Sequence, residues 1–168
     1  HDLDREGEAL LRPYNLVLTG THPEYTSDRM FDALETHVQT GGSIFYLGGN
    51  GFYHRVEFDS GGSGTVEARR RDGSWRASMP EQRFQVSGRL GGAWSDLLRP
   101  AEDLFGVLCV AEGFERSSYY RRHPVSWVAP FNKLFDGVDE GIVGNFGLIG
   151  GGAAGLEVDR VVSGTTMD

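Results

Sequence analysis

The segment YNLVLTGTHPEYTSDRMFDALETHVQTGGSIFYLGGNGF (Tyr14–Phe52) decides the fold, because a helical pattern separates two short apolar runs. The run NLVLT is leucine-rich and is closed by Gly20, which predicts a buried strand of a parallel sheet. The run SIFYLGGNGF predicts a second buried strand that enters a glycine turn. Together they predict a strand–helix–strand unit, the repeating element of α/β proteins.

The helix between these strands has clear start and stop signals. Ser27 or Asp28 is suited to the N-cap, and Gly41 stands where a C-terminal cap belongs. Apolar residues at helical spacing form its predicted core-facing stripe: Met30, Phe31, Leu34 and Val38.

The rest of the chain extends this α/β pattern. A short helix is predicted over Asp4–Pro13, a further apolar strand over Asp103–Phe114, and short strands with glycine-rich ends over residues 126–138 and 141–160. Residues from about 54 to 92 alternate apolar and polar side chains and contain the hairpin signal Asp72–Gly73, which predicts an antiparallel β insertion. The expected fold is one α/β domain over residues 1–168 with a mostly parallel sheet. It is expected to be incomplete, since a strand would normally precede the first helix.

Composition excludes several classes of protein. The chain has 39% hydrophobic and 24% charged residues, as expected of a globular domain, and no apolar run long enough for a membrane span. Its net charge of −8 argues against a nucleic-acid partner, which needs a cationic face. The basic stretch ARRRDGSWR (Ala68–Arg76) is interpreted as a solvated loop. The single cysteine, Cys109, excludes an internal disulfide and favours the cytoplasm.

The motif HPEY carries the strongest candidate site. Glu24 follows the end of a predicted strand and precedes a helix, at the sheet edge where α/β proteins bind ligands. It can be a metal ligand or a base, with His22 two positions away to move a proton. A simple capping turn explains the same residues equally well.

Two further positions are candidates. Asn50 lies in a strand-to-helix elbow, where its amide can donate a hydrogen bond to a carbonyl oxygen or simply occupy a left-handed turn. Glu157 follows a run of small residues that allows close backbone approach, although a solvated loop glutamate is the simpler interpretation. Cys109, His54 and His123 are interpreted as structural.

Four motifs, in this order, carry a resemblance over about Asp2–Arg160: VLTGTHPEYTS, ALETHVQTGGSIFYLGGNGFYHRV, AEGFERSSYYRR and GLIGGGAAGLEVDR. The chain resembles the large (beta) subunit of the N,N-dimethylformamidase family. The resemblance implies a class I glutamine-amidotransferase-like (flavodoxin-like) domain at the C-terminal end of that subunit. It also implies a mononuclear ferric iron held by two tyrosines and a glutamate, and hydrolysis of a small formamide to formate and an amine.

The resemblance also assigns residues. It makes Glu24 the iron ligand and His22 and Glu157 the acid/base residues, while Asn50, Gly49 and Tyr53 line the substrate pocket. The two tyrosine ligands lie upstream of the HPEY motif in the family and have no equivalents in this chain. The implied partners are the rest of the large subunit and a small subunit. Two alternatives stay open, a non-catalytic binding module of a larger assembly and a hydrolase of a different small amide.

Overall fold

A computed structural model of the chain describes residues 1–20, 22–59, 64–69, 82–147 and 151–162. The Asp72–Gly73 hairpin and most of the basic stretch lie outside these residues. The chain divides into two compact units, the first containing His1–Cys109 with the chain from Arg160, and the second Val110–Asp159. Among the described residues, no helix combines the length and the apolar character that crossing a membrane requires.

The N-terminal helix is broken where the sequence places a glycine. Helix α1 covers Asp2–Glu6 and helix α2 covers Glu8–Leu11. Gly7 between them has a φ of 63°, a left-handed conformation that glycine adopts at little cost. The single helix predicted over Asp4–Pro13 is therefore two short ones.

The predicted strand–helix–strand unit is present. Strand β1 (Leu16–Leu18) pairs in parallel with strand β3 (Ser43–Phe45), and the two-residue strand β2 (Tyr25–Thr26) leads into helix α3 (Asp28–Gln39). Ser27 is the N-cap, as predicted, since its hydroxyl accepts a hydrogen bond from the backbone N–H of Met30 at 3.3 Å. Gly41 follows the helix with a φ of 94°, which confirms the predicted C-terminal cap.

Burial in this unit differs from the prediction in two places. The outward side chains Leu16, Leu18 and Phe45 are exposed, so among the described residues β1 and β3 are covered on one face rather than two. Helix α3 buries His37, whereas Val38 is 40% exposed. Among the described residues of the first unit, the main hydrophobic cluster contains these buried residues: Leu11, Phe31, Ala33, Leu34, Phe52 and Trp94.

Strand β4 (His54–Phe58) organises the rest of the first unit. It pairs in parallel with β2 and antiparallel with β5 (Val66–Ala68) and β6 (Gly92–Ala93). The antiparallel pairs of β4 fall where the sequence predicted antiparallel strands, at about residues 54–92, but the described strands form separate small sheets rather than one mostly parallel sheet. The observed class is mixed α/β, and the amidotransferase-like fold stays a prediction.

After β6, the described residues contain one more α-helix and four further strands. Helix α4 (Glu102–Phe105) ends at Gly106, which has a φ of 69°, so the first part of the predicted strand at 103–114 is helical. The remaining strands are β7 (Val107–Ser118), β8 (Tyr120–Arg121), β9 (Ile142–Val143) and β10 (Ala154–Val161). Strand β7 pairs with β10, and β8 pairs antiparallel with β9.

Residues 126–138 were expected to contribute a strand, but this part of the chain contains two 3₁₀ helices, Pro124–Trp127 and Phe131–Phe135. The guanidinium of Arg122 holds this segment together. It lies 3.5 Å from the ring centre of Trp127 and 4.2 Å from that of Phe135, and it donates to the carbonyl oxygen of Val138 at 2.6 Å.

Candidate active site

Backbone hydrogen bonds dock the HPEY motif onto the turn that follows β3. The carbonyl oxygen of Pro23 accepts from the N–H of Phe52 at 2.7 Å. The carbonyl oxygen of Glu24 accepts from the N–H groups of both Tyr53 and His54, at 2.9 Å each. The parallel pairing of β2 with β4 continues this contact, with Tyr25 opposite His54. The motif and the turn are thus held in one register by the main chain.

The carboxylate of Glu24 lies between two histidines. Its Oε2 is 3.2 Å from Nε2 of His22, and its Oε1 is 3.2 Å from Nδ1 of His54. The side chain of Glu24 is 16% exposed, that of His22 is 45% exposed and that of His54 only 3% exposed. One carboxylate therefore contacts an imidazole that is open to solvent and another that is buried.

Two tyrosines flank the buried histidine. The ring of Tyr25 stacks on His54 with centroids 5.7 Å apart and planes inclined by 14°. Tyr53 meets the same imidazole edge-on at 4.5 Å and 88°. Tyr53, predicted to line a substrate pocket, therefore lies beside the histidine–carboxylate pair, and its own side chain is 37% exposed.

Asn50 lies in a tight turn beside the same motif. It is buried, and its φ of 49° places it in the left-handed region, where asparagine is tolerated well. The next residue, Gly51, donates its N–H to the hydroxyl of Tyr46 at 2.8 Å. A β-carbon at Gly51 would lie 2.7 Å from that hydroxyl and 3.0 Å from Cγ of Pro23, so only glycine fits. Gly49, also predicted to contact substrate, is half-buried in this turn.

Glu157 lies in the second compact unit, half-buried on β10. The small residues before it do permit close backbone approach, as predicted. A β-carbon at Gly152 would overlap the carbonyl oxygen of Ser118, and one at Gly155 would overlap Ser117. The catalytic role of Glu157 remains a prediction.

Of the predicted site residues, His22 and Glu24 touch each other, and the turn with Asn50 and Tyr53 is bonded to the same motif. His54 was interpreted as structural from its sequence, yet it contacts Glu24. No local pattern signals this contact, because the two residues are 30 positions apart and meet only through the β2–β4 pairing. His123 does have a structural role: its Nδ1 accepts from the N–H of Val125 at 3.4 Å.

The donors of this site suit one position of a ferric centre. Ferric iron is a hard ion that prefers oxygen ligands, and Glu24 offers a partly exposed carboxylate. Within the described ranges, no three His, Cys, Asp or Glu side chains are grouped closely enough to hold a metal by themselves. The carboxylate of Glu24 is chemically suited to be one ligand of such an ion, and its binding of iron stays a prediction.

A second charged cluster lies further along β4. Buried Arg55 donates to the carboxylate of Asp28 at 2.6 and 2.9 Å, and Arg89 contacts both Asp28 and buried Glu57, at 3.0 and 2.6 Å. Asp28, Glu57 and Arg89 also line a cavity of about 740 Å³. The two arginines balance the two carboxylates, so we interpret the cluster as a structural ion-pair network that joins β4 to the start of α3.

Fold and site together define a mixed α/β protein with a carboxylate held between two histidines beside a tight asparagine–glycine turn. The family described as "N,N-dimethylformamidase beta subunit-like, C-terminal" matches residues 1–167. The chain is 37% identical over 163 residues to proteins named N,N-dimethylformamidase beta subunit from Paracoccus aminophilus and from Alcaligenes sp.. Each alignment covers 95% of this chain and 21% of the relative. The chain belongs to this family, and it spans about a fifth of the length of these curated relatives.

Proposed function

We propose that this chain is part of an amide hydrolase that cleaves the C–N bond of N,N-dimethylformamide or a related small formamide, giving formate and an amine. Family membership supports the reaction class, because both relatives are named as subunits of such an enzyme. The observation that carries the proposal is the Glu24 carboxylate, held at 3.2 Å by both His22 and His54. We propose Glu24 as one ligand of a mononuclear ferric iron, with tyrosine ligands outside this chain.

Bound iron supplies Lewis-acid chemistry, drawing electron density from the formyl oxygen and making water more acidic. The chain's own residues handle protons and orientation. His22 is exposed and contacts Glu24, so it can take a proton from the attacking water and return it to the departing amine nitrogen. The amide of Asn50 stabilises negative charge on the formyl oxygen. The assignment of Glu157 as a second acid/base residue rests on the resemblance alone.

The overall reaction balances without a further reactant. Water adds to the formyl carbon, the C–N bond breaks, and the nitrogen leaves with the proton that water supplied. A dialkylamide anion is a poor leaving group, so protonation of the nitrogen is where an acid contributes most. Catalysis by this chain thus depends on a residue that can both accept and donate a proton, the role proposed here for His22.

The test compares His22→Asn with wild type in the full-length subunit assembly, with release of formate and dimethylamine as the measurement. Loss of a general acid/base residue predicts a fall in turnover of about 10²–10⁴-fold, with iron content retained. His123→Asn, which alters another exposed histidine and keeps a short polar cap, is the matched control and should turn over normally. A wild-type assembly that hydrolyses no small amide would contradict the proposal and favour a non-catalytic module. Cleavage of other amides but no formamide would favour a different amide hydrolase.

A further inference from the structure

We propose that His54 is a positioning residue that fixes the carboxylate of Glu24 in the orientation that iron binding requires. This inference rests on the proposed function, because it assigns a role relative to the metal ligand of that site. His54 lies 30 positions from Glu24 in the sequence, and its sequence pattern does not mark it as a site residue.

The backbone sets where His54 lies. Strand β4 starts at His54, opposite Tyr25 in the parallel pairing with β2. The N–H of His54 donates to the carbonyl oxygen of Glu24 at 2.9 Å, so the two residues are joined through the main chain as well as through their side chains. The main chain therefore fixes the distance between the α-carbons of Glu24 and His54.

The surroundings of the ring then fix its orientation. Tyr25 stacks against one face of the imidazole and Tyr53 meets it edge-on, and the residue is only 3% exposed. A buried ring with aromatic neighbours has few rotamers open to it. The imidazole thus acts as a rigid support, unlike His22, whose side chain is 45% exposed.

The hydrogen bond passes this rigidity to the carboxylate. An ionised carboxylate only accepts hydrogen bonds, so Nδ1 of His54 is the donor to Oε1 of Glu24 across 3.2 Å. Each carboxylate oxygen has a second lone pair, so this bond leaves Glu24 able to bind a cation. Hydrogen bonds of this kind orient the ligands of metal sites, and their loss typically costs about 10–100-fold in metal affinity.

The test uses the iron-loaded full-length subunit assembly and three variants at one position. His54→Phe keeps an aromatic ring but removes the donor, and it should weaken iron affinity by about 10–100-fold and shift the visible tyrosinate-to-iron band. His54→Asn places an amide donor near the position of Nδ1, and it should restore most of the affinity and the wild-type band. His54→Gln places its amide further out, near the position of Nε2, and it should restore neither the affinity nor the wild-type band. Affinity is measured by chelator competition and folding by circular dichroism.

His37→Phe is the matched control, since His37 is also buried but its Nε2 donates to the carbonyl oxygen of Ser43, at 3.3 Å, rather than to Glu24. It should leave iron affinity and the band unchanged. Wild-type iron affinity and an unshifted band in His54→Phe would overturn the inference alone. A wild-type assembly without iron would overturn the proposed function and this inference together. Equal losses in the Phe and Asn variants would show that packing, not the hydrogen bond, matters, and would also overturn it.

Discussion

At Glu24, solvent access separates two contacts that are otherwise alike. Both imidazoles lie 3.2 Å from a carboxylate oxygen, but the side chain of His22 is 45% exposed and that of His54 is 3% exposed. An exposed imidazole exchanges protons with water, whereas a buried one between aromatic rings holds its position. This difference is why we propose proton transfer for the exposed His22 and orientation of the carboxylate for the buried His54.

Gly51 offers a test of how tightly the turn is packed against the HPEY motif. Gly51→Ala should lower the free energy of unfolding by about 1–3 kcal/mol, because its β-carbon would lie 2.7 Å from the Tyr46 hydroxyl and 3.0 Å from Pro23. Urea unfolding followed by circular dichroism measures the change. Gly20→Ala is the control, since a β-carbon there meets nothing within 4 Å. Equal stability of the two variants would contradict the close packing of this turn.

Residue-level prediction from sequence succeeded where the contact is local. His22 and Glu24 are two positions apart, so a strand end followed by HPEY was enough to bring them together. His54 could not be found in this way, because its contact with Glu24 depends on a pairing between two short strands. Asn50 does adopt the left-handed conformation that one alternative required, and its role as a hydrogen-bond donor to substrate stays a prediction.

Among the elements, strand β5 is joined to the segment at Gln85 and Val86 through the side chain of Glu67. The carboxylate of Glu67 accepts from the backbone N–H of Gln85 at 2.9 Å and of Val86 at 3.3 Å, and from Nε of Arg69 at 2.6 Å. Burial alone would raise the pKa of Glu67, but these hydrogen bonds outweigh it and hold the pKa below its ordinary value. The ionised carboxyl therefore stabilises the folded state.

The sign of this effect gives a pH prediction. A carboxyl with a lowered pKa stabilises the fold above the pKa of the unfolded chain, about 4.3, and this contribution is lost as pH falls through the folded value. Glu67→Gln should therefore be less stable than wild type at pH 7, and this difference should shrink as the pH falls below the ordinary pKa of glutamate and through the lowered pKa of the folded state. Urea unfolding at pH 7 and at low pH measures this. Glu8→Gln, at an exposed carboxylate, controls for the lost charge. A constant difference at all pH values would contradict the prediction.

Element prediction was accurate where caps are local and poor where apolar runs are short. Helix α3 begins after Ser27 and ends before Gly41, because both caps act through neighbouring backbone groups. The residues of the 3₁₀ helix Phe131–Phe135 were assigned to a strand instead, since runs this short do not distinguish helical from strand periodicity. Val38 was predicted to face the core, but its neighbour His37 is buried in its place. A histidine can be buried there because its ring nitrogen bonds to the carbonyl oxygen of Ser43.

For the whole molecule, the sequence motifs were enough to predict the family, whereas they predicted the arrangement of the strands only in part. Four ordered motifs identified the family, and the comparisons confirm it over residues 1–167. The parallel β1–β3 pair and antiparallel strands near residues 54–92 were expected, but the division into separate small sheets was not, because strand partners depend on contacts distant in sequence. The chain covers 21% of its relatives' length, so its chemistry is proposed for an assembly larger than these residues.

Iron content tests the central claim most directly, namely that Glu24 is a metal ligand of a formamide hydrolase. Elemental analysis of the purified full-length assembly should find near-stoichiometric iron in wild type, with a visible tyrosinate-to-iron band. Glu24→Gln should lose most of that iron and the band, because an amide is a weaker ligand than a carboxylate for a hard cation. Glu8→Gln should retain both. An iron-free wild type, or a Glu24→Gln variant with undiminished iron, would contradict the account.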